Sequence, residues 1–208
     1  STAVSLPGAI SAKSITINGT STTASAIVSL GAMTIVAGGS DLSVTANNTL
    51  GGANAGITQT GSIADNADGG NISFISNNII NQAGAITLAA NTSGTASTVL
   101  YSTTSGAKTS NIIAGALTIS SGSTSDINYV AKSAGAGINP GVLVIPGSVT
   151  LDNTYGGTAG VGGTPTSGYI TSSNSGSLTN AIVGINVNSA ITADKGITLK
   201  GASQTGYY

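Results

Sequence analysis

The chain has no cysteine, histidine, tryptophan, arginine or glutamate among its 208 residues. Each absence removes a class of chemistry. Without cysteine there is no disulfide framework and no thiolate metal site. Without histidine, cysteine, arginine and glutamate, the common nucleophile–base pairs are missing, and so is the arginine side of most anion sites. Charge is scarce: six Asp and five Lys make up 5% of the chain, against a usual share of about a quarter. The lysines stand apart, at 13, 108, 132, 195 and 200, so no basic patch forms and nucleic acid is not an expected partner. No apolar run approaches the roughly 18 residues of a membrane helix, and membrane insertion is not expected. The opening Ser1-Thr2-Ala3-Val4 has neither a basic start nor an apolar core, so no signal peptide is read there.

What remains is Gly, Ser, Thr, Asn and aliphatic residues. Mean hydropathy is positive, at +0.32, and net charge is −1. Disordered chains combine low hydrophobicity with high net charge, so this composition reads as folded. No apolar pattern of period 3.6 persists, while β-branched residues are frequent, which points to an all-β protein.

One short pattern recurs. In Gly84-Ala85-Ile86-Thr87-Leu88-Ala89-Ala90-Asn91 a glycine precedes two apolar residues that flank one hydroxyl residue. Side chains alternate along a strand, so Ile86 and Leu88 face one way and Thr87 the other. The triplet returns at Ile15–Ile17, Met33–Ile35, Leu42–Val44, Ile72–Phe74, Leu117–Ile119, Val149–Leu151 and Ile197–Leu199. Gly31, Gly70, Gly115 and Gly147 stand two residues before four of these. A short strand with one apolar face cannot bury that face alone, so copies must stack. The expected architecture is a single right-handed parallel β-helix over residues 1–208, with irregular coils of roughly 20–30 residues. The expected core is the apolar pair of every triplet. A β-sandwich fibre subunit is the structural alternative, but hairpin signals such as Asn18-Gly19 are few. Residues 134–141 read as a loop, and the Gly-rich stretch 155–168 as a loop bulging from the wall.

On the segments Gly31–Ala46, Ala55–Ile63, Gly84–Asn91 and Ile191–Ala202, the chain resembles the β-helical repeat regions of filamentous haemagglutinin-type and autotransporter-type bacterial adhesins. The resemblance implies export to the cell surface or beyond. It implies a structural role in attachment, aggregation or biofilm. Such proteins are usually far longer than this chain.

Candidate sites are sparse. Neither Lys13-Ser14 nor Lys132-Ser133 has a nucleophile–base frame. Among Asp41, Asp65, Asp68, Asp126, Asp152 and Asp194, only Asp65 and Asp68 lie close in sequence. No enzyme and no cofactor are expected. Asp65 and Asp68, in Asp65–Asn71, are weak candidates for calcium, because oxygen ligands and a glycine turn are present without EF-hand spacing; a solvated turn is the favoured reading. Asn18, Asn47, Asn71 and Asn91 fit the N-x-[ST] acceptor pattern. The middle residues Thr16, Thr34, Ser43, Ser73, Thr87, Thr118, Thr150 and Thr198 would form an outward hydroxyl row, suited to glycan or ice or simply wetting the wall. The tyrosines are read as covering the wall or a neighbouring subunit. No polar cap is legible at either end, so Val4, Leu6, Tyr207 and Tyr208 are candidate end-to-end contacts. The expected partners are copies of the chain, or further repeats of a longer one, together with host or environmental glycans.

Overall fold

The computed structural model describes residues 4–21, 27–48, 56–104, 111–133, 137–153, 189–193 and 195–201. They form a β-solenoid with no helix among them. The first coil is β1 (Val4–Leu6), β2 (Ile10–Ala12) and β3 (Ile15–Ser21). Each strand lies on a different face, and the chain repeats the same three-face circuit. Sheet A continues with β4 (Ile27–Leu30), β7 (Gly56–Gln59), β10 (Ile79–Gln82), β13 (Asn111–Ala114) and β16 (Gly137–Asn139). Sheet B continues with β5 (Met33–Ile35), β8 (Ile63–Asp65), β11 (Ile86–Leu88), β14 (Leu117–Ile119), β17 (Leu143–Ile145) and β19 (Ile191–Ala193). Sheet C continues with β6 (Leu42–Asn48), β9 (Ile72–Ser76), β12 (Ser97–Thr103), β15 (Ile127–Ser133), β18 (Ser148–Asn153) and β20 (Gly196–Gly201).

Every strand pairing among the described residues is parallel. That excludes the β-sandwich alternative, whose sheets are antiparallel. It also explains the uneven spacing of the triplets, which belong to two interleaved ladders. Met33, Ile86 and Leu117 begin rungs of sheet B, while Ile15, Leu42, Ile72, Val149 and Ile197 begin rungs of sheet C. On sheet A one inward column runs through residues 4, 28, 57, 80, 112 and 138, giving coils of 24, 29, 23, 32 and 26 residues. Residues 137–139 therefore correct the expected loop: Ile138 pairs with Ile112 and is buried. The Gly-rich stretch 155–168 lies outside the described residues. On either side of it the register is kept, since Val149 pairs with Ile197 after 48 residues.

The triplets point as their alternation requires. Ile15, Ile17, Met33, Ile35, Leu42, Val44, Ile72, Phe74, Ile86, Leu88, Leu117, Val149 and Leu151 are buried, while Ile119 and Ile197 are partly buried against the same core. Two rungs of sheet C carry aromatics instead. Tyr101 stacks on Phe74 with ring centroids 5.3 Å apart, and Tyr129 tilts against Tyr101 at 5.5 Å. Both tyrosines are at most 1% exposed. This corrects the expectation that they cover the outer wall. Ala131 pairs with Tyr101, and Val99 with Tyr129, so a large side chain meets a small one in each column.

The interior also holds a polar line. Gln59 and Gln82 are buried in register on sheet A, and Gln82 Nε2 donates to Gln59 Oε1 at 2.9 Å. Gln59 Nε2 donates to the carbonyls of Gly31 and Gly61, and Gln82 Nε2 to that of Gly84. Gln82 Oε1 accepts from the Tyr101 hydroxyl at 2.8 Å and from the Gly115 amide at 3.1 Å. In the next rung the position of Gln82 is taken by Ala114, and the Tyr129 hydroxyl has no hydrogen-bond partner among the described residues. The two tyrosines should therefore respond differently to loss of the hydroxyl. Tyr101→Phe is expected to cost about 1 kcal/mol in urea unfolding, and Tyr129→Phe to cost nothing or stabilise slightly. Equal losses would contradict this arrangement.

Candidate functional surfaces

The corners of the solenoid are built by glycine, asparagine and aspartate. At the A–B corner Gly31, Gly61, Gly84, Gly115 and Gly141 form a spine. A Cβ on Gly84 would lie 1.7 Å from the Gly61 carbonyl oxygen, and one on Gly115 would lie 2.2 Å from that of Gly84. What excludes a side chain here is the close approach of successive coils.

At the B–C corner side chains cap the next coil. Asp41 Oδ1 accepts from the Asn71 amide at 2.9 Å and from Asn71 Nδ2 at 3.2 Å. Asn71 Oδ1 then accepts from the Thr98 amide at 2.9 Å, and Asn128 Oδ1 from the amide and hydroxyl of Ser148. Asn91 is 2% exposed, and its Nδ2 donates to Thr95 O, Ser97 Oγ and Asp126 O. Of the four acceptor-pattern asparagines, Asn18 and Asn47 are exposed to solvent. Asn71 and Asn91 have their amide nitrogens engaged in holding coils together, to Asp41 Oδ1 and to Asp126 O.

Asp65 and Asp68 are three residues apart and point to different places. Asp65 faces inward and is 2% exposed, in register between Ile35 and Leu88. Its Oδ1 accepts from the Ala67 amide at 2.9 Å. Burial, with a smaller contribution from the negative charge of Asp41, pushes its pKa up to about 6, against the lowering effect of that hydrogen bond. Asp68 lies at the surface and accepts from the amide and hydroxyl of Thr92 on the following coil, which hold its pKa below the usual carboxylate range. The pair does not converge on one point, and the described residues contain no group of three metal-ligating side chains.

The other charges are dispersed. Asp126 faces Lys195 at 3.9 Å on the surface. Asp152 occupies the position beside Lys132 on sheet C. Lys13 is exposed. Asp194 and Lys108 lie outside the described residues.

The outward hydroxyls form two rows on different faces, which corrects the expectation of a single row. On sheet B the row is Ser11, Thr34, Ala64, Thr87 and Thr118, in register. On sheet C it is Thr16, Ser43, Ser73, Leu100, Val130, Thr150 and Thr198. Ala64 interrupts the first row, and Leu100 with Val130 the second. At the first coil, β1, β2 and β3 each hydrogen-bond to one neighbouring strand among the described residues. Val4 and Ile10 are half-buried there, and Leu6 is 36% exposed. Tyr207 and Tyr208 lie outside the described residues.

Gln59 and Gln82 were not among the sequence candidates. Their signal is a glutamine two residues before a corner glycine, in Gln59-Thr60-Gly61 and Gln82-Ala83-Gly84. No protein-family model matches the chain, and comparison with curated proteins and with solved structures finds no match.

Proposed function

We propose that this chain is a non-catalytic structural segment of an extracellular fibre or adhesin, working through the length of its wall. The observation that carries this reading is the continuous parallel stack in which successive described coils reuse the same three faces, with strand edges facing along the axis. An edge of unpaired N–H and C=O groups over an apolar column is a template for another coil. Near-neutral net charge provides little repulsion between copies. A second copy stacking on the first coil would add at Val4, Leu6 and Ile10. Head-to-tail contacts of this kind do not close, so copies would form filaments. The adhesin assignment rests on the sequence resemblance, as does the surface location.

The test is electron microscopy and light scattering on the purified 208-residue chain. Filaments with a long axis parallel to the coil stack are expected at micromolar concentration. A stable monomer over a wide concentration range would overturn self-assembly.

The in-register hydroxyl rows favour a second reading, a module that binds an uncharged lattice such as a polysaccharide or ice. A positive glycan or ice-affinity assay on monomeric chain, abolished by Thr87→Lys, would favour it over the fibre reading.

A further inference from the structure

At the inward position where sheet B otherwise carries Ala12, Ile35, Leu88, Ile119, Ile145 and Ala193, its third rung carries Asp65. The turn that follows folds over this carboxyl. Ala67 donates its amide to Oδ1 and is itself buried, and a Cβ on Gly70 would sit 3.1 Å from Oδ2. The charged groups around the site are both negative. Asp41 is on the coil before, and Asp68 is on the turn itself. Residues 86–100 of the coil after carry no titratable side chain. No lysine pairs with Asp65 among the described residues.

We propose that residues 65–71 form an acid-set latch, which holds the third coil to its neighbours when Asp65 is protonated and loosens when Asp65 is ionised. Two links depend on this turn: Asp68 to Thr92 on the coil after, and Asn71 to Asp41 on the coil before. Ionising Asp65 places a charge among Ile35, Ala67 and Leu88 with one amide donor to offset it. The sign follows from the raised value. The folded state holds the proton up to about pH 6, whereas the unfolded chain releases it near the ordinary 3.8. Stability therefore rises as pH falls from above 6 toward 4, and levels off outside that window. Asp68 works in the opposite sense but elsewhere on the scale. Its folded value lies below 3.8, so its contribution is present above that and fades only in stronger acid.

The experiment is thermal unfolding of the full chain between pH 4.5 and 7.5, with carboxyl-carbon NMR titration of Asp65. Wild type is expected to melt several degrees higher at pH 4.5 than at 7.5, and Asp65 to titrate near 6. Asp65→Asn and Asp65→Leu should each flatten the pH dependence by raising the melting temperature at pH 7.5. Amide exchange at Ala67–Asn71, corrected for intrinsic rate, should be faster at pH 7.5 than at 4.5 in wild type only. An Asp65 midpoint near 4, or an unchanged pH slope in both variants, would overturn the latch. If neither variant folds, the wild-type titration and exchange decide it.

Discussion

Gly84→Ala is expected to unfold this protein or lower its stability by more than about 3 kcal/mol, although it adds one methyl group. That methyl would occupy the space of the Gly61 carbonyl oxygen, 1.7 Å away. The obstacle is backbone, so no rotamer change relieves it, and the two coils must part. Parting them also stretches the bonds from Gln82 Nε2 to Gln59 Oε1 and from the Ala83 amide to the Gln59 carbonyl. The damage would spread along the spine, because Gly115 rests on Gly84 as Gly84 rests on Gly61. Gly8→Ala is the control. Nothing lies within 4 Å of a Cβ there, and an effect within about 0.5 kcal/mol is expected. The measurement is the midpoint of chemical unfolding for both variants. Similar midpoints would mean that the coils are further apart at this corner than described.

The second large effect is expected on sheet B. Ile86→Asp would bury a carboxylate at a site 1% exposed, in register between Ile63 and Leu117. The cost is on the order of 4 kcal/mol or more, enough to abolish folding of a marginally stable domain. Thr87→Asp, one residue along, places the same group in solvent and should cost less than about 1 kcal/mol. Limited proteolysis and far-UV circular dichroism distinguish the two. A protease-resistant Ile86→Asp protein would refute the inward assignment. Asp65 shows what such a position requires when nature fills it: a turn curled over the carboxyl, an amide donor, and a pKa displaced upward.

These predictions also mark what was legible in the sequence. The apolar–hydroxyl–apolar triplets announced strands, faces and stacking, because alternation alone fixes which side chains meet in the core. Their spacing conceals the order, since rungs of two sheets follow one another as a single series in the sequence. Val99-Leu100-Tyr101 reads as a strand but does not show which face is inward, because all three residues are large and apolar, so alternation gives no contrast. Tyr101 and Tyr129 are hidden for a related reason: the acceptor of the Tyr101 hydroxyl, Gln82, is 19 residues away in sequence, and Tyr129 is buried by its place in the aromatic column with no partner for its hydroxyl among the described residues. Ile138 does not stand out in the sequence because Gly137 and Asn139 beside it are turn-formers in isolation, and only pairing with Ile112 makes them a strand. The corner asparagines were anticipated as a type. Which of them cap the next coil and which stay free depends on register, which no local pattern contains.

The uneven coil lengths carry a further meaning. Between equivalent positions of sheet C the chain spends as few as 20 residues, from Tyr129 to Val149, and as many as 48, from Val149 to Ile197. The entropy of closing a loop grows only with the logarithm of its length, so doubling a coil from 24 to 48 residues costs about 0.6 kcal/mol. One buried aliphatic side chain on a rung recovers more than that. The wall is thus nearly indifferent to how much polypeptide leaves a corner, provided the chain returns in register. Insertions can arrive, lengthen and diversify at the corners while the ladders stay as they are. The molecule keeps one rigid element of its design, the rung, and leaves the length of chain between rungs open to change.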